Sequence, residues 1–509
     1  MNKTSIYEMI KANIGKDGKL PRDFSLDEPT TPNQICYAPG AMDGIGVYHM
    51  GAGNPDKEAV KIVKLIKKYL QTDKMSYINE IEAVLADTRT ISVVDPILQN
   101  IKKDHKGIEP QKIVEFGFNL AKESGNTELV KLGISLLGLF DLGKYESIKN
   151  LVAILSLYDE FTLFSVVAVL NWSNGNDLVF WIANHVDGWG KVHAVERLEP
   201  EDEIIKDWIL REGCSNGVMD AYLGLNCAVK GDLISALRRD SMDDELFDSI
   251  SIIIDALLDE GPVSGISEYE HAKEALILYL NHAKKHTDNL KRLWHILNIQ
   301  SWAEDAEIDY KDEIMTLCAD IINKPGWTDK IIAEIEQRGN DFFCACNAAS
   351  RMDVDVSAPL LAAIKENPLE YCSYTQRLFS DPNMASEIIA LYETILPLNE
   401  MAEGMGDYFF AETLRKEHGC LDFILPELAA YPMQGVKLIN AALNSRVVRE
   451  RNMACKALSG WVKKNEKPLS EISPEINAEL KRIYDIEINK DTKEYMKKLL
   501  DGGTLGDDF

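Results

Sequence analysis

Residues 187–232 read DGWGKVHAVERLEPEDEIIKDWILREGCSNGVMDAYLGLNCAVKGD, and they decide the fold. The stretch parses as three short amphipathic helices, starting near Gly188, Glu201 and Ser215 and closed by brief Gly, Asn or Asp stops. Helices this short are marginal alone, so each must bury its apolar face against a neighbour, and a run of them builds a stack. The pattern continues outward. Asp56 is placed to cap KEAVKIVKLIKKYLQ, where Val60, Val63, Leu65, Ile66 and Leu70 recur at helical spacing. Further starts are expected near Asp73, Asp95, Pro110, Asn126, Lys144, Asp159 and Asp177. Stops follow at Gly261-Pro262, Pro325-Gly326, Asn367-Pro368, Asp381-Pro382 and Tyr431-Pro432. No long alternating β-branched run calls for a sheet.

The expected fold is therefore all-α: a HEAT-like α-solenoid over residues 57–500, with repeats too divergent for a strict period. Two segments look like the inner helix of a HEAT repeat, GKVHAVERL at 190–198 and RVVRERNMACKAL at 446–458. In the second, Val448, Arg449, Ala454 and Leu458 follow an apolar, basic, small, apolar order. Ala454 and Ala457 allow close helix approach, and Arg449 can reach acids or carbonyls of the next repeat.

Residues 1–56 have a different texture. After a short helix around residues 6–14, residues 21–55 hold five prolines and five glycines, which a helix does not tolerate. Yet Ile35, Tyr37, Met42, Ile45, Val47, Tyr48 and Met50 make this segment too apolar to float in water. It is expected to be an ordered amino-terminal cap, with an acidic tail at 501–509 closing the chain.

At 509 residues the chain exceeds the size at which one core stops growing. It carries 55 Lys and Arg against 82 Asp and Glu, a formal charge of −27. Such a field repels phosphate backbones and anionic membrane surfaces, so the expected partner is a neutral to basic protein or peptide and not nucleic acid. Nine cysteines without a CxxC read as reduced thiols, mostly core residues. The amino terminus lacks the apolar run of a signal peptide, and a cytoplasmic location is expected. The most apolar run, 150–172, is split by Asp159 and Glu160 into two short pieces, read as buried helices and not a membrane span.

Known chemistry is mostly missing. Gly44-Ile45-Gly46 opens like a dinucleotide fingerprint, but His49 stands where the third glycine belongs and no βαβ unit surrounds it. GxxxxGK followed by Ser or Thr does not occur, nor does GxSxG, and Ser264 lacks the first glycine. His282 and His286 share a helix face but are flanked by Lys284 and Lys285, so no metal site is expected there. Glu268 and His271 form half of a di-iron signature without the other half. Cys420 lacks the glycine-rich approach of a haem-thiolate loop, and Cys344 and Cys346 read as core. The best-dressed polar cluster is Trp189, His193, Glu196 and Arg197, stacked at helical spacing and followed by Trp208, Arg211, Glu212 and Asn216. It suits either a groove lining or a buried brace between repeats.

Residues 189–233, together with PGAMDGIGVYHMG at 39–51, resemble a family of large helical proteins from low-GC Gram-positive bacteria. Some members carry the name limonene hydroxylase. The resemblance implies NAD(P)H- and oxygen-dependent hydroxylation of a monoterpene, with possible further oxidation of the alcohol, and carries no catalytic motif to particular positions. From the residues themselves no cofactor is evident.

Three readings follow. The chain is a helical-repeat scaffold presenting a concave surface to a protein or peptide; or the monoterpene monooxygenase implied by resemblance; or a hydrolase or metal enzyme using Asp43 and His49 in the glycine-rich loop. A ligand is expected where residues 40–53 meet the array, with Trp189, His193, Glu196 and Arg197 as its wall.

Overall fold

Helix starts are set by side chains that accept the first free N–H groups. In a computed structural model describing residues 4–26, 37–46, 56–103, 109–261, 263–408 and 416–506, all regular structure among these residues is helical. The β geometry described is an isolated bridge between Tyr408 and Val447. The amino-terminal helices are α1 (Ile6–Ala12), α2 (Ala41–Ile45), α3 (Asp56–Thr72), α4 (Ser76–Thr88), α5 (Thr90–Lys103) and α6 (Pro110–Glu123). There follow α7 (Thr127–Leu137), α8 (Glu146–Leu155), α9 (Asp159–Val169), α10 (Gly175–His185) and α11 (Gly188–Arg197). Ser5, Asn126, Asp202, Asp243, Asn289, Asp381, Ser473 and Asn489 each cap a helix through a side-chain oxygen.

Two starts differ from the expectation. The helix read from Asp95 begins at Thr90, because its cap comes from another helix: the Glu128 carboxylate accepts the Thr90 N–H at 2.5 Å. Pro96 thus lies inside α5 and offers no N–H to the Ser92 carbonyl. The helix read from Ser215 begins at Ala221. Asn216 holds the intervening loop, donating to Cys214 and Met219 carbonyls and accepting from Val218 and Met219 N–H groups.

The contacts gather into two units, Met1–Glu28 with Cys36–Lys324, and Pro29–Ile35 with Pro325–Phe509. The boundary at Lys324 falls inside the 57–500 array read from the sequence. The described amino-terminal residues, 4–26 and 37–46, belong to the first unit, whose core includes Ile6, Tyr7, Ile10 and Ala41. In this unit α6 and α7 meet at glycines: a Cβ on Gly133 would lie 2.7 Å from backbone atoms of Gly117 and Ala121. Helix α9 is apolar nearly all round, burying Phe161, Leu163, Phe164 and Val166, each a side chain whose burial stabilises by roughly 1.5–3 kcal/mol. It follows α8, so the apolar run 150–172 forms two helices. No helix among the described residues is long and apolar enough to cross a membrane.

In the second unit the helix Val448–Asn465 is the core element, with Trp461 fully buried and its Nε1 donating to the Leu428 carbonyl at 2.7 Å. Arg449 pairs with Asp422 at 3.1 Å. The acidic tail is anchored as far as Leu505, which is buried and donates its N–H to Ser459 Oγ. Eight cysteines are described, and all are free thiols, seven of them buried.

Candidate functional site

A lysine in an apolar helix organises the site. Every residue of α7 from Leu129 to Leu137 is buried, and Lys131 is 0% exposed. An isolated buried ammonium would lose its proton, so its partners decide its state. Three carboxylates meet it: Asp43 at 2.6 Å, Glu160 at 2.5 Å and Glu128 at 3.0 Å. Arg89 is a second cation over the same acids, with Nη2 at 2.8 Å from Asp43 and 3.5 Å from Glu160. Burial alone would depress the Lys131 ammonium, but Glu160, Asp43 and Glu128 outweigh it and hold its pKa up. Glu128 is likewise pulled below its ordinary range by Lys131 and the Thr90 N–H, against its burial. At Asp43 burial wins and the carboxyl is raised despite Lys131.

Each member comes from a different place: Asp43 from α2, Arg89 from the α4–α5 junction, Glu128 and Lys131 from α7, Glu160 from α9. The loop is fixed by the same acids. Gly40, at φ 74°, donates its N–H to Glu160 Oε2 at 2.7 Å. Gly44 lies flat on Trp189, and a Cβ there would sit 2.2 Å from the indole. The expected meeting of the glycine-rich loop with the helix of Trp189 is thus present for residues 40–46. His49 lies outside the described residues.

The wall residues separate in role. Trp189 stacks on His193, with centroids 6.0 Å apart, and meets Tyr222 at a tilt of 49°, with centroids 5.1 Å apart. His193 is fully buried, and burial, aided by Arg197, pushes its pKa down to about 3. Arg197 donates to Glu196 at 2.5 Å and to the His193 carbonyl, while its side chain reaches the cavity described next. The Glu196 carbonyl accepts from Asn226 and Lys230, bracing α11 to the helix Ala221–Lys230. Arg211 braces similarly, gripping Asp243 and Asp207. His282 contacts the Leu237 carbonyl and His286 contacts Asp244, each inside a structural join.

Sequence reasoning misses Arg89, Glu128, Lys131 and Glu160 as a group. One signal is present: a lone lysine in NTELVKLGISLLG, where every helix face is apolar.

A cavity of about 400 Å³ opens beside this network. Its walls are largely apolar, with Ile91, Val94, Leu98, Leu139, Leu163 and Phe164 among them. Among the described residues, polar side chains in the lining come from Arg89, Ser92, Asp95, Lys102, Ser135, Asn171 and Arg197. Arg89 has φ 59° and ψ 150°, a region that only glycine adopts readily. A second cavity of about 540 Å³ is more polar, bordered by Lys19, Arg22, Asp159, His185 and Asp187. Asp159 sits deep among protein atoms yet keeps an edge on this cavity. Burial, followed by Asp187 and Glu160, pushes its carboxyl up to about 7 against the N–H groups of Gly190 and Trp189.

No protein-family model matches the chain, and no curated protein matches it significantly.

Proposed function

We propose that the chain is a helical binding protein that holds a small, largely apolar molecule in the 400 Å³ cavity of its first unit. The carrying observation is an apolar cavity with a few convergent polar groups, bordered by a backbone strained at Arg89. Successive antiparallel pairs such as α6 and α7 suit the HEAT-like stacking expected from the sequence. A concave face gripping a protein or peptide remains the broader form of this reading, but a cavity of this size favours a small molecule.

The monoterpene reading implied by resemblance draws on the same apolar walls, which suit a hydrocarbon ring. The nicotinamide cofactor it implies is not matched at residues 44–46. Gly44 is helical and covered by Trp189, so that run does not present N–H groups to a pyrophosphate.

Thermal shift with limonene and 1-decanol tests the pocket. Both are expected to raise the melting temperature, and Val167→Trp, at the exposed rim of the cavity, is expected to abolish the rise. No shift with any apolar probe, or an unaltered shift in the variant, would overturn the reading.

A further inference from the structure

We propose that Lys191 is a nucleophilic amine that captures a small polar aldehyde as an imine, beside the cavity of about 540 Å³ in the first unit. This cavity shares no lining residue with the apolar one, so the two readings stand or fall separately. The contrast with Lys131 points to Lys191 first. Lys131 is buried against three carboxylates, which hold it as a cation. Lys191, on α11, is also buried, at 8% exposure, yet its Nζ has no hydrogen-bond or ion-pair partner among the described residues. Lysines are almost never buried unless paired, and an apolar side chain would fill the space without stranding a donor.

The amine is bare but not shut in. Its Nζ is not one of the buried polar atoms cut off from solvent, so a small molecule can reach it. Asp187, one turn earlier on the chain, Glu212 and Lys19 all act on its charge without an ion-pair contact. Asp187 and Lys19 also border the cavity, which puts the amine within electrostatic reach of it. Glu212 lies on Ile209–Gly213, a π-helical turn, a rare geometry that is frequent at functional sites. Burial lowers the Lys191 pKa against Asp187 and Glu212, with Lys19 adding to the fall. A desolvated lysine is richer in the neutral amine, the form that has a lone pair to give.

The step needs no oxidant or reductant. The Nζ lone pair attacks the carbonyl carbon, and one amine proton passes to the carbonyl oxygen, giving a carbinolamine. The hydroxyl then leaves as water with the remaining amine proton, and the C=N bond forms. The neutral imine brings no charge into the buried site. A polar aldehyde is indicated by the lining, which includes Lys19, Arg22, Asp159, His185, Asp187 and Ser215. His185 Nδ1 bonds to the Trp181 carbonyl at 2.7 Å, which leaves Nε2 of the neutral ring to accept from a hydroxyl.

Glyceraldehyde with sodium cyanoborohydride at pH 7, followed by peptide mass mapping, tests the proposal, since the reagent reduces an imine to a stable secondary amine. Lys191 is expected to be labelled at least tenfold faster than exposed lysines such as Lys64 and Lys467. Its lead should narrow as pH rises from 7 to 9, because the exposed amines then lose protons as well. Butanal, of similar size without hydroxyls, should show a smaller lead. Ser215→Trp, in the cavity lining, should slow the labelling of Lys191 and leave Lys64 and Lys467 unchanged. Labelling of Lys191 no faster than that of the exposed lysines overturns the nucleophile. A lead that stays constant from pH 7 to 9 overturns the neutral amine as its cause. Equal leads for the two aldehydes overturn the polar guest, and an unaltered rate in Ser215→Trp overturns the cavity as the way in.

Discussion

The two units each bury a long cation, and the surroundings of the two differ. In the second, Arg451 is fully buried and meets Glu487 through Nε and Nη2 at 2.7 and 2.9 Å, with Nη1 on the Ser445 carbonyl at 2.8 Å. One cation faces one acid, and the pair ties the helix Val448–Asn465 to the turn after Pro474–Ile486. In the first, Lys131 and Arg89 face three acids, and Arg89 extends to the edge of a cavity. A closed, balanced pair is a fastening. The cluster around Lys131 also fastens helices together, but its strain and its cavity are features that a fastening does not need.

Removing each cation tests this comparison at its largest effect. Breaking a buried ion pair by deleting one partner costs about 3–5 kcal/mol. Arg451→Met should lie in that range, leaving one uncompensated carboxylate. Lys131→Met should cost more, because Asp43, Glu128 and Glu160 then face one another with Arg89 as their one cation among the described residues. Urea unfolding with transitions assigned to each unit measures both. A smaller loss for Lys131→Met would mean that the network is slack.

Why the sequence reveals one part and hides another follows from the same residues. The start of α7 is legible at Asn126 because a cap is a local event, decided within a few residues. The start of α5 is not, since its cap, Glu128, is 38 positions away. Residues 40–46 are readable as a packed loop from their apolar weight, and Trp189 and Arg197 stand out by helical spacing. In the sequence Asp43 is read beside His49 in the same loop, whereas its ionic partners Arg89 and Lys131 come from elements distant along the chain. Glu160 reads there only as a charge interrupting an apolar run.

Asp159, next to Glu160, sharpens the contrast because it accepts the N–H groups of Gly190 and Trp189 and faces the acids Asp187 and Glu160. Its folded pKa is raised from 3.8 to about 7, mainly by burial. Between these values the folded state holds a proton that the unfolded chain has lost, so this contribution to stability fades as pH rises toward and past about 7. Wild type should lose roughly 2 kcal/mol more between pH 5 and pH 8 than Asp159→Asn, given about 1.4 kcal/mol per pKa unit and partial contact with the cavity. Parallel stability curves for the two proteins would show that Asp159 is ionised in the fold throughout.

The smallest effect separates backbone from side chain at Arg89. Arg89→Ala and Arg89→Gly lose the same contacts with Asp43, so their difference reports the main chain alone. Alanine keeps a Cβ at φ 59° and ψ 150°, a conformation that costs a non-glycine residue about 1–3 kcal/mol. Glycine removes that cost but gives the unfolded chain more freedom, which opposes it by roughly 0.5–1 kcal/mol. Strain relief outweighs the added freedom, so the glycine variant should be the more stable by about 1 kcal/mol. Thermal unfolding of the two variants side by side reads the difference. If alanine is equal or better, the junction between α4 and α5 relaxes once the guanidinium is gone. The conformation would then be imposed by the grip of Asp43 on Arg89, and the strain would belong to the charge network instead of the turn.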